Sequence, residues 1–331
     1  MALILLDGME DLSTFVQVQA STGVVAGRTG NALNPNSTNS LARYIVLPSE
    51  ESATFTAGFA VKFATTTTCD FFEFRSDAGA TSHVCLRIVA DGSIYVGRNN
   101  GVSFVQLAFS GTGVIVAGTW HYVELQATLH DTTGSVTVRV DGIQVATATN
   151  VDTRNAGTKT VFDSVLIRNY NPTTAQPAFD DFYLMNGAGD AFLGDIVVET
   201  LYPNGNGNAN QWLGSDGDSL SNYLLVDEPT PVATDYVASS TTGHQDLYAL
   251  TDLVRSLPIV GVCHQALAAR VDSVARQIKI VNRRTTDTKS AAIDLATTLA
   301  SYHYALAVDP ETSAAWTVAN VNALQSGVEV V

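Results

Sequence analysis

The stretch that decides the fold is Gly118–Asn150, GTWHYVELQATLHDTTGSVTVRVDGIQVATATN. Apolar residues occupy every second position at 123–129 and again at 136–140. Alternation of this kind is typical of strands with one buried face. The polar run between the two segments and the Asp-Gly pair at 141–142 are typical of turns, because glycine adopts positive φ without steric cost. The stretch therefore predicts three successive antiparallel strands.

The same pattern continues on both sides of this stretch. Apolar and polar residues alternate at 54–63, 71–76 and 83–99, and the last of these segments contains a second Asp-Gly pair. Strands that recur roughly every 10–15 residues, with turn residues between them, are typical of antiparallel sandwiches and jelly rolls. No sustained helical period is found before about residue 190. The first part of the chain is therefore predicted to be a β-sandwich.

A glycine-rich joint divides the chain. Its sequence is MNGAGDAFLGD at 185–195, and the segment 204–210 consists of asparagine, glycine and one alanine. These residue types are typical of loops, so 204–210 is predicted to be one. We place the boundary at Gly194, which gives a jelly-roll domain at 1–194 and a second domain at 195–331.

The second domain is predicted to be a smaller β-sandwich with one short helix. Strand patterns occur at 258–273, 276–284 and 301–310. Apolar residues recur at helical spacing within 312–327, where Gly327 would end the helix. Trp316 lies next to this helix and is predicted to be a core anchor. The fold class is therefore all-β, with two sandwich domains.

Composition and charge exclude several functions. The chain has 331 residues, 46% of them hydrophobic, and carries 17 basic against 32 acidic residues for a net charge of −15. A surface this acidic repels phosphate, so no nucleic-acid partner is expected. No apolar run approaches the roughly 20 residues of a membrane span, and no basic segment precedes the first apolar run. We therefore expect no membrane association, no signal peptide and synthesis in a cytoplasm.

The first domain resembles the laminin G-like, concanavalin A-like jelly roll. The resemblance rests on Trp120 before a long strand, on the hairpin residues Asp141 and Gly142, and on the run Asp180-Asp181-Phe182 near the domain end. In that family the closing strand returns beside the first. The resemblance gives Trp120, Asp141, Gly142, Asp181 and Phe182 structural roles. Because Trp120 opens an alternating strand, it is predicted to be a core anchor.

The second domain resembles the C-terminal module of tailed-bacteriophage virion proteins that carry such a jelly roll. The residues behind this resemblance are DPETSAAWT at 309–317 and LQSGVEV at 324–330. The resemblance implies a structural component of the virion, in the tail, baseplate, a fibre or a capsid decoration. It implies other virion proteins as partners and a homo-oligomer in a symmetric assembly, made in the cytoplasm of a bacterial host.

Catalytic motifs are weak in this sequence. Glycosidases on the same fold use two carboxylates about 5 Å apart, one as acid and one as nucleophile. Glu73 and Glu124 each stand alone in their strands and are interpreted as solvent-facing. The histidines lie in strands or turns without a nucleophile motif. The sequence therefore predicts no enzymatic activity and leaves glycoside hydrolysis as the weakest alternative.

Calcium is the cofactor that the sequence leaves open. Asp216, Asp218 and Asn222 fall in one turn and would supply oxygen ligands, although the bidentate glutamate of a typical calcium loop is missing. A solvated turn is the simpler interpretation. Asp180 and Asp181 would be a second candidate, but strand alternation is expected to send their side chains to opposite faces.

Glycan binding is the alternative function, with a host-surface glycan as the partner. Aromatic and amide groups typical of shallow sugar sites occur together between residues 202 and 212. The candidate residues are Tyr202, Asn206, Asn208 and Trp212. The competing interpretation is an interdomain linker whose Trp212 is anchored in the second core.

Overall fold

The computed structural model describes residues 3–19, 21–37, 40–155, 157–170 and 174–331. The chain divides into two compact units, Met1–Val198 and Glu199–Val331. Strands make up nearly all regular structure of the described chain, which confirms the all-β prediction.

The strands of the first unit, in chain order, are β1 (Leu3–Asp7), β2 (Gln17–Val18), β3 (Thr22–Ala26), β4 (Asn31–Pro35), β5 (Ser40–Ile45), β6 (Thr54–Lys62), β7 (Cys69–Ser76), β8 (Thr81–Ile88), β9 (Ile94–Asn99), β10 (Phe104–Phe109), β11 (His121–Thr128), β12 (Gly134–Val140), β13 (Ile143–Val151), β14 (Ser164–Tyr170) and β15 (Ala178–Met185). A 3₁₀ turn spans Pro48–Glu50.

These strands form two antiparallel sheets. Sheet I has the order β13-β12-β11-β6-β15-β4-β3, with β1 paired to β15. Sheet II has the order β10-β9-β8-β7-β14-β5-β2. The closing strand thus lies beside the first strand, as the jelly-roll resemblance implies.

Aromatic side chains fill the space between the two sheets. Phe59 of sheet I lies 4.7 Å from Phe72 of sheet II between ring centroids, and Phe55 meets Phe74 edge-on at 5.6 Å. All four rings are fully buried. Phe72 and Phe74 therefore point inward, and Glu73 and Arg75, which alternate with them in β7, point outward.

The Asp141-Gly142 pair forms the turn between β12 and β13. Asp141 and Gly142 both have positive φ, at 51° and 78°, as a type I′ hairpin turn requires. The Asp141 carboxylate accepts hydrogen bonds from His121 Nδ1 and from Tyr122 N, each at 2.8 Å. These bonds fix the start of β11 against the end of β12.

Trp120 does not lie in the core. It precedes β11 and is only half-buried, with Lys62 Nζ 4.9 Å from its ring centroid. The alternation of β11 explains this position, because Val123 and Leu125 face inward and Trp120 falls in the opposite phase. The core-anchor prediction for Trp120 is wrong, whereas Phe182 is fully buried in the same unit.

The second unit contains β16 (Pro203–Asn210), β17 (Leu213–Gly214), β18 (Val237–Ala238), β19 (Gln245–Leu250), β20 (Val262–Ala268), β21 (Gln277–Arg283), β22 (Asp287–Lys289), β23 (Ile293–Asp294), β24 (Ala300–Leu306), β25 (Gln325–Val330), the helix α1 (Val318–Asn322) and a 3₁₀ turn at Asn222–Leu225. Its main sheet has the order β16-β19-β25-β21-β22, with β23 beside β21. The pairs β17–β18 and β20–β24 are separate two-stranded sheets.

The short helix ends earlier than predicted. Thr317 caps it by accepting a hydrogen bond from Asn320 N, and Trp316 is 4% exposed, packing with Val321 in an apolar cluster. Gly327 lies in β25 rather than at the end of the helix. A Cβ there would overlap the carbonyl oxygen of Asp246, so glycine allows β25 to approach β19 closely.

The predicted loop at 204–210 is instead the edge strand β16, paired with β19. Its asparagines at even positions from 204 to 208 are exposed, and glycines alternate with them. A Cβ at Gly207 would lie 2.7 Å from the carbonyl oxygen of Leu247. The glycines therefore serve close strand contact here, and this spacing outweighs their usual preference for loops.

Candidate functional site

The outer face of sheet II collects charged and aromatic side chains on neighbouring strands. One register row crosses six strands and joins Arg43, Leu166, Glu73, Cys85, Gly97 and Gln106. We call the outward set of this sheet the arginine face; it comprises Arg43, Asp70, Glu73, Arg75, Arg87, Tyr95, Phe104, Gln106, Phe109, Arg168 and Tyr170.

Glu73 is at the centre of this face and is 1% exposed. Arg168 Nη1 donates to its Oε1, and Arg75 Nε lies 3.5 Å from its Oε2. The interpretation of Glu73 as a solvent-facing carboxylate is therefore wrong. The register explains the burial, because β14 and β8 flank Glu73 on both sides and two long arginine side chains lie over it.

A second ion pair lies on the same face. Arg87 binds both oxygens of Asp70, through Nε at 2.5 Å and Nη2 at 3.2 Å. The Arg87 guanidinium also lies 4.0 Å from the ring centroid of Phe104. A Cβ on Gly97 would lie 2.5 Å from Phe104 Cζ, so this glycine leaves room for the ring to lie over the strand.

Two aromatic side chains remain accessible at opposite sides of the face. Tyr170 is 44% exposed and holds the Arg168 guanidinium 3.9 Å from its ring centroid. Phe109 is 58% exposed and packs against Tyr95 at 5.6 Å. Phe109 and Gln106 also line a groove of about 410 Å³ between the edge strands β10 and β13. The arginine face therefore combines exposed rings with guanidinium, carboxylate and amide groups.

Arg43 and Arg75 bind backbone oxygens of the turn between β7 and β8. Arg43 Nη1 donates to Ala78 O at 3.2 Å, and Arg75 Nη2 donates to Ala80 O at 3.3 Å. The Nε atoms of both arginines are buried without a hydrogen-bond partner among the described residues. Burial lowers the pKa of Arg75, and the positive charges of Arg43 and Arg168 act in the same direction.

The face is positively charged on an acidic chain. Its four arginines and two carboxylates give a formal charge of +2, whereas the whole chain carries −15. Sequence reasoning missed this face, because its arginines lie far apart along the chain. The available signal was one arginine in each of four strand segments, out of phase with the apolar positions.

The residues predicted to bind glycan do not come together. Tyr202 and Trp212 lie beyond opposite ends of β16, whose eight residues span roughly 26 Å at about 3.3 Å each. Asn206 Nδ2 donates to Leu220 O at 2.6 Å, and the side chain of Asn208 pairs with Gln325. Trp212 Nε1 donates to His244 O at 3.1 Å while its ring packs on the apolar core of this unit.

The residues proposed for calcium do not converge either. Asp216 and Asp218 are exposed and accept hydrogen bonds from backbone N–H groups two residues further on. Asn222 is 1% exposed and donates inward to Asp246 Oδ2 at 2.6 Å. Across the part of the chain that the structure describes, no group of three or more His, Cys, Asp and Glu side chains is arranged to hold a metal ion.

Asp180 and Asp181 contact the same partner, contrary to the prediction from alternation. Asp180 Oδ2 accepts from the Arg28 backbone N at 2.6 Å, and Asp181 Oδ2 accepts from Arg28 Nε at 2.7 Å. The pairing of β15 with β6 is irregular after Asp180, and Asp181 has a φ of 51°. This bulge interrupts the alternation, so the two carboxylates turn towards one arginine.

Glu124 is also buried rather than solvent-facing. It lies on the outer face of sheet I, fully inaccessible, where its Oε1 accepts from Tyr183 Oη at 2.6 Å and from Gly194 N at 2.8 Å. We call residues 186–198 the covering segment, since this segment packs over Glu124. Glu73 and Glu124 occupy different sheets, so they do not form the paired carboxylates of a glycosidase.

No protein-family model matches the chain, and no curated protein matches it. Among solved structures, endo-β-1,4-glucuronan lyase from the fungus Trichoderma reesei is similar at 14% identity, covering 54% of this chain and 93% of that one, with a TM-score of 0.41. Domain 4 of AbnA, an extracellular arabinanase from Geobacillus stearothermophilus in complex with arabinotriose, shows 16% identity, coverages of 56% and 93%, and a TM-score of 0.38.

A protein of unknown function with a galectin-like fold from Bacillus subtilis is similar at 10% identity, with coverages of 56% and 96% and a TM-score of 0.40. At such identities the likeness is one of fold alone. The similar structures thus include carbohydrate-binding and carbohydrate-active sandwiches, and the resemblance to virion proteins gains no support from them.

The prediction that the chain is not an enzyme is contradicted by these similarities, which include a glucuronan lyase and a domain of an arabinanase. That prediction rested on the absence of a glycosidase carboxylate pair. Glycoside hydrolysis requires such a pair, but other reactions on a polysaccharide do not.

Among the described helices, none has the length and apolar character to cross a membrane.

Proposed function

We propose that the first unit is a glycan-binding module and that the arginine face is its binding surface. The observation that carries the proposal is the combination, on one sheet face, of exposed rings with planar polar groups. Small-ligand sites typically pair aromatic surface with a few fixed hydrogen-bonding groups. A sugar ring offers both complements, because its C–H faces pack on aromatic rings and its hydroxyls bond to guanidinium, carboxylate and amide groups.

The dimensions of the face suit a chain of sugars rather than one. Neighbouring strands lie about 4.8 Å apart, so the row from Arg43 to Gln106 extends about 24 Å across six strands. Tyr170 and Phe109 lie on the same side of this row, at the two ends of the neighbouring register row that runs through Asp70, Arg87 and Tyr95, and offer separate stacking positions. An extended glycan lying across the strands would contact both rings and the charged groups between them.

The charged groups are already held in position before any ligand arrives. Glu73 orients Arg168, and Asp70 orients Arg87 through both of its oxygens. Ordering long side chains on binding usually costs about 0.5–1.5 kcal/mol for each one. Since these ion pairs have fixed the arginines, binding would avoid much of that cost.

The sequence resemblance to virion proteins indicates where such a glycan-binding module would act. On a virion, the partner of the face would be a glycan of the bacterial surface. Shallow sugar sites gain strength from repetition, and several copies in a symmetric assembly would raise the overall avidity by 10²-fold or more, as an order-of-magnitude estimate.

Affinity electrophoresis of the full-length chain through gels that contain soluble polysaccharides, neutral and acidic, tests the proposal. Wild-type protein should be retarded by at least one polymer, and Tyr170→Ala combined with Phe109→Ala should weaken that binding about tenfold, the equivalent of two lost aromatic contacts. Polymer length is measured afterwards, so that turnover is not mistaken for weak binding.

Tyr236→Ala is the matched control, because Tyr236 is 55% exposed and belongs to the second unit. It should bind like the wild type. Retardation that survives in the double variant, or the absence of retardation by every polymer, would refute the arginine face as a glycan site.

A further inference from the structure

We propose that the arginine face selects glycans that carry carboxylate groups, and that Arg43 and Arg75 together form the carboxylate-binding position. This inference rests on the proposed glycan function and adds the chemical class of the glycan. The inference depends on a difference between two pairs of arginines on this face. Arg168 and Arg87 bind carboxylates of the protein. Arg43 and Arg75 donate hydrogen bonds to backbone oxygens instead.

The arginines of the first pair have carboxylate partners within the protein. Arg168 donates to Glu73, and Arg87 binds Asp70 with two hydrogen bonds. These contacts show which anion this face accommodates, namely a planar group with two oxygens. A guanidinium group matches such an anion with parallel N–H donors.

The arginines of the second pair are less well compensated. Arg43 has no ion pair in the described part of the chain, and Arg75 has only Glu73. Glu73 also binds Arg168. The Nη atoms of the second pair donate to carbonyl oxygens of Ala78 and Ala80, and their buried Nε atoms have no hydrogen-bond acceptor in the described part of the chain. Arg75 Nε approaches Glu73 Oε2 only to 3.5 Å. Carbonyl oxygens are neutral acceptors, so much of the positive charge of this pair remains uncompensated, and an incoming carboxylate would supply a negative partner for the two guanidinium groups.

The fold brings the two side chains of this pair together. Arg43 pairs in register with Leu166, and Arg75 pairs with Ser164, which is the next outward position of β14. Gly79 contributes to this arrangement, because a Cβ there would clash with the Arg43 side chain. Arg43 can therefore extend over the turn between β7 and β8, towards Arg75.

Two neighbouring guanidinium groups repel each other, and this repulsion lowers the pKa of Arg75 in addition to the effect of its burial. A bound carboxylate would neutralise the excess charge of the face. A neutral glycan would leave that charge uncompensated, so the two kinds of polymer should differ in affinity. The rest of this acidic chain repels polyanions, which restricts their binding to this face.

A matched pair of polymers tests the inference: one polyuronate and the same polymer after chemical reduction of its carboxyl groups to alcohols. Binding of the full-length protein is measured at low and at physiological salt. The wild type should bind the polyuronate about tenfold more tightly than the reduced polymer, in line with a hydrogen-bonded charge pair, and this preference should shrink at higher salt.

Arg43→Gln combined with Arg75→Gln should bring the ratio of the two affinities close to one. Arg276→Gln is the control, since it makes the same kind of substitution in an exposed ion pair with Asp272 in the second unit and removes one positive charge, against two in the double variant. That control should keep the tenfold ratio. Thermal unfolding of each variant identifies any that fail to fold. If the glutamine double variant fails to fold, Arg43→Lys with Arg75→Lys replaces it. Lysine keeps the charge but lacks the planar fork of arginine, so this variant should also lower the ratio of the two affinities.

The outcomes separate the two proposals. Equal binding of both polymers by the wild type would overturn the carboxylate inference and leave glycan binding intact. Binding of neither polymer, nor of any other polysaccharide, would overturn the proposed function itself. A sulfated polymer that binds more tightly than the polyuronate would show that the face selects a different anion, which also contradicts the inference.

Discussion

The two sheets of the first unit each bury a glutamate on the outer face, and they use it differently. Glu124 on sheet I accepts hydrogen bonds from Tyr183 and from the backbone of Gly194, so it fastens the covering segment over its own sheet. Glu73 on sheet II binds arginine side chains and leaves Tyr170 exposed beside them. One outer face is thus completed by the chain itself, whereas the other leaves organised polar groups and an exposed ring at its surface.

The difference shows that strand pattern alone does not decide what an outer face does. Both glutamates stand in alternating strands, and neither neighbourhood in sequence shows that it is buried. The partners decide: a segment 70 residues further along the chain covers Glu124, and a strand 95 residues further along supplies the arginine for Glu73. The function of each face therefore depends on contacts that are distant in sequence.

The largest expected effect that tests this comparison is that of Glu73→Gln. The substitution leaves Arg168 and Arg75 without a negative partner on a largely buried face, and breaking a buried ion pair costs about 3 kcal/mol or more. We expect a loss of about 3 kcal/mol in the free energy of unfolding, measured by denaturant titration, together with loss of glycan binding.

Asp272→Asn is the control for this variant, because it breaks an exposed ion pair with Arg276. Surface pairs contribute roughly 0–1 kcal/mol, so the control should remain near the wild-type stability. A stable Glu73→Gln variant that binds glycan normally would show that Glu73 does not organise the face.

Glu124→Ala is expected to have a smaller and more local effect. It removes the acceptor for two donors, Tyr183 Oη and Gly194 N, and an unsatisfied buried donor costs about 1–3 kcal/mol. We expect a loss of about 2 kcal/mol and faster amide hydrogen exchange in the covering segment. Amide exchange in sheet II should stay at the wild-type rate and serves as the internal control. Unchanged amide exchange at 192–198 would mean that Glu124 does not fasten this segment.

The sequence predicted the framework better than the site. Alternation and the Asp141-Gly142 pair were sufficient for the hairpin, since both signals act between neighbouring residues. Trp120 shows the limit of motif transfer, because the phase of its own strand places it outside the core. The segment 204–210 shows the limit of composition, because glycine suits both a loop and a close strand contact.

The arginine face could not be derived from the sequence because it depends on register. Arg43 and Arg168 are 125 positions apart in the chain, yet they belong to adjacent strands of sheet II. Strand order in a jelly roll does not follow chain order, so spacing along the sequence carries no information on such neighbours. Only the pairing of β5 with β14 and of β14 with β7 brings the charged residues to one surface.

The smallest expected effect concerns pH and the second attachment of the covering segment. Arg28 joins the Asp181 carboxylate to Asp195 of that segment, and Asp180 lies beside Asp181. Burial and the neighbouring charge of Asp181 raise the pKa of Asp180 from 3.8 to about 6. Between these values the folded protein binds more protons than the unfolded chain, so stability should fall as the pH rises from about 4 to about 6.

We expect this fall to be on the order of 1 kcal/mol for Asp180, since one pKa unit corresponds to about 1.4 kcal/mol. Asp180→Asn should reduce the slope of unfolding free energy against pH, measured by denaturant titration at several pH values. It should not abolish the slope, since burial also raises the pKa of Asp7 to about 6. A slope that is identical in the variant and the wild type would show that Asp180 does not contribute to the pH dependence, and would assign it to Asp7 and the other carboxyl groups whose pKa burial raises.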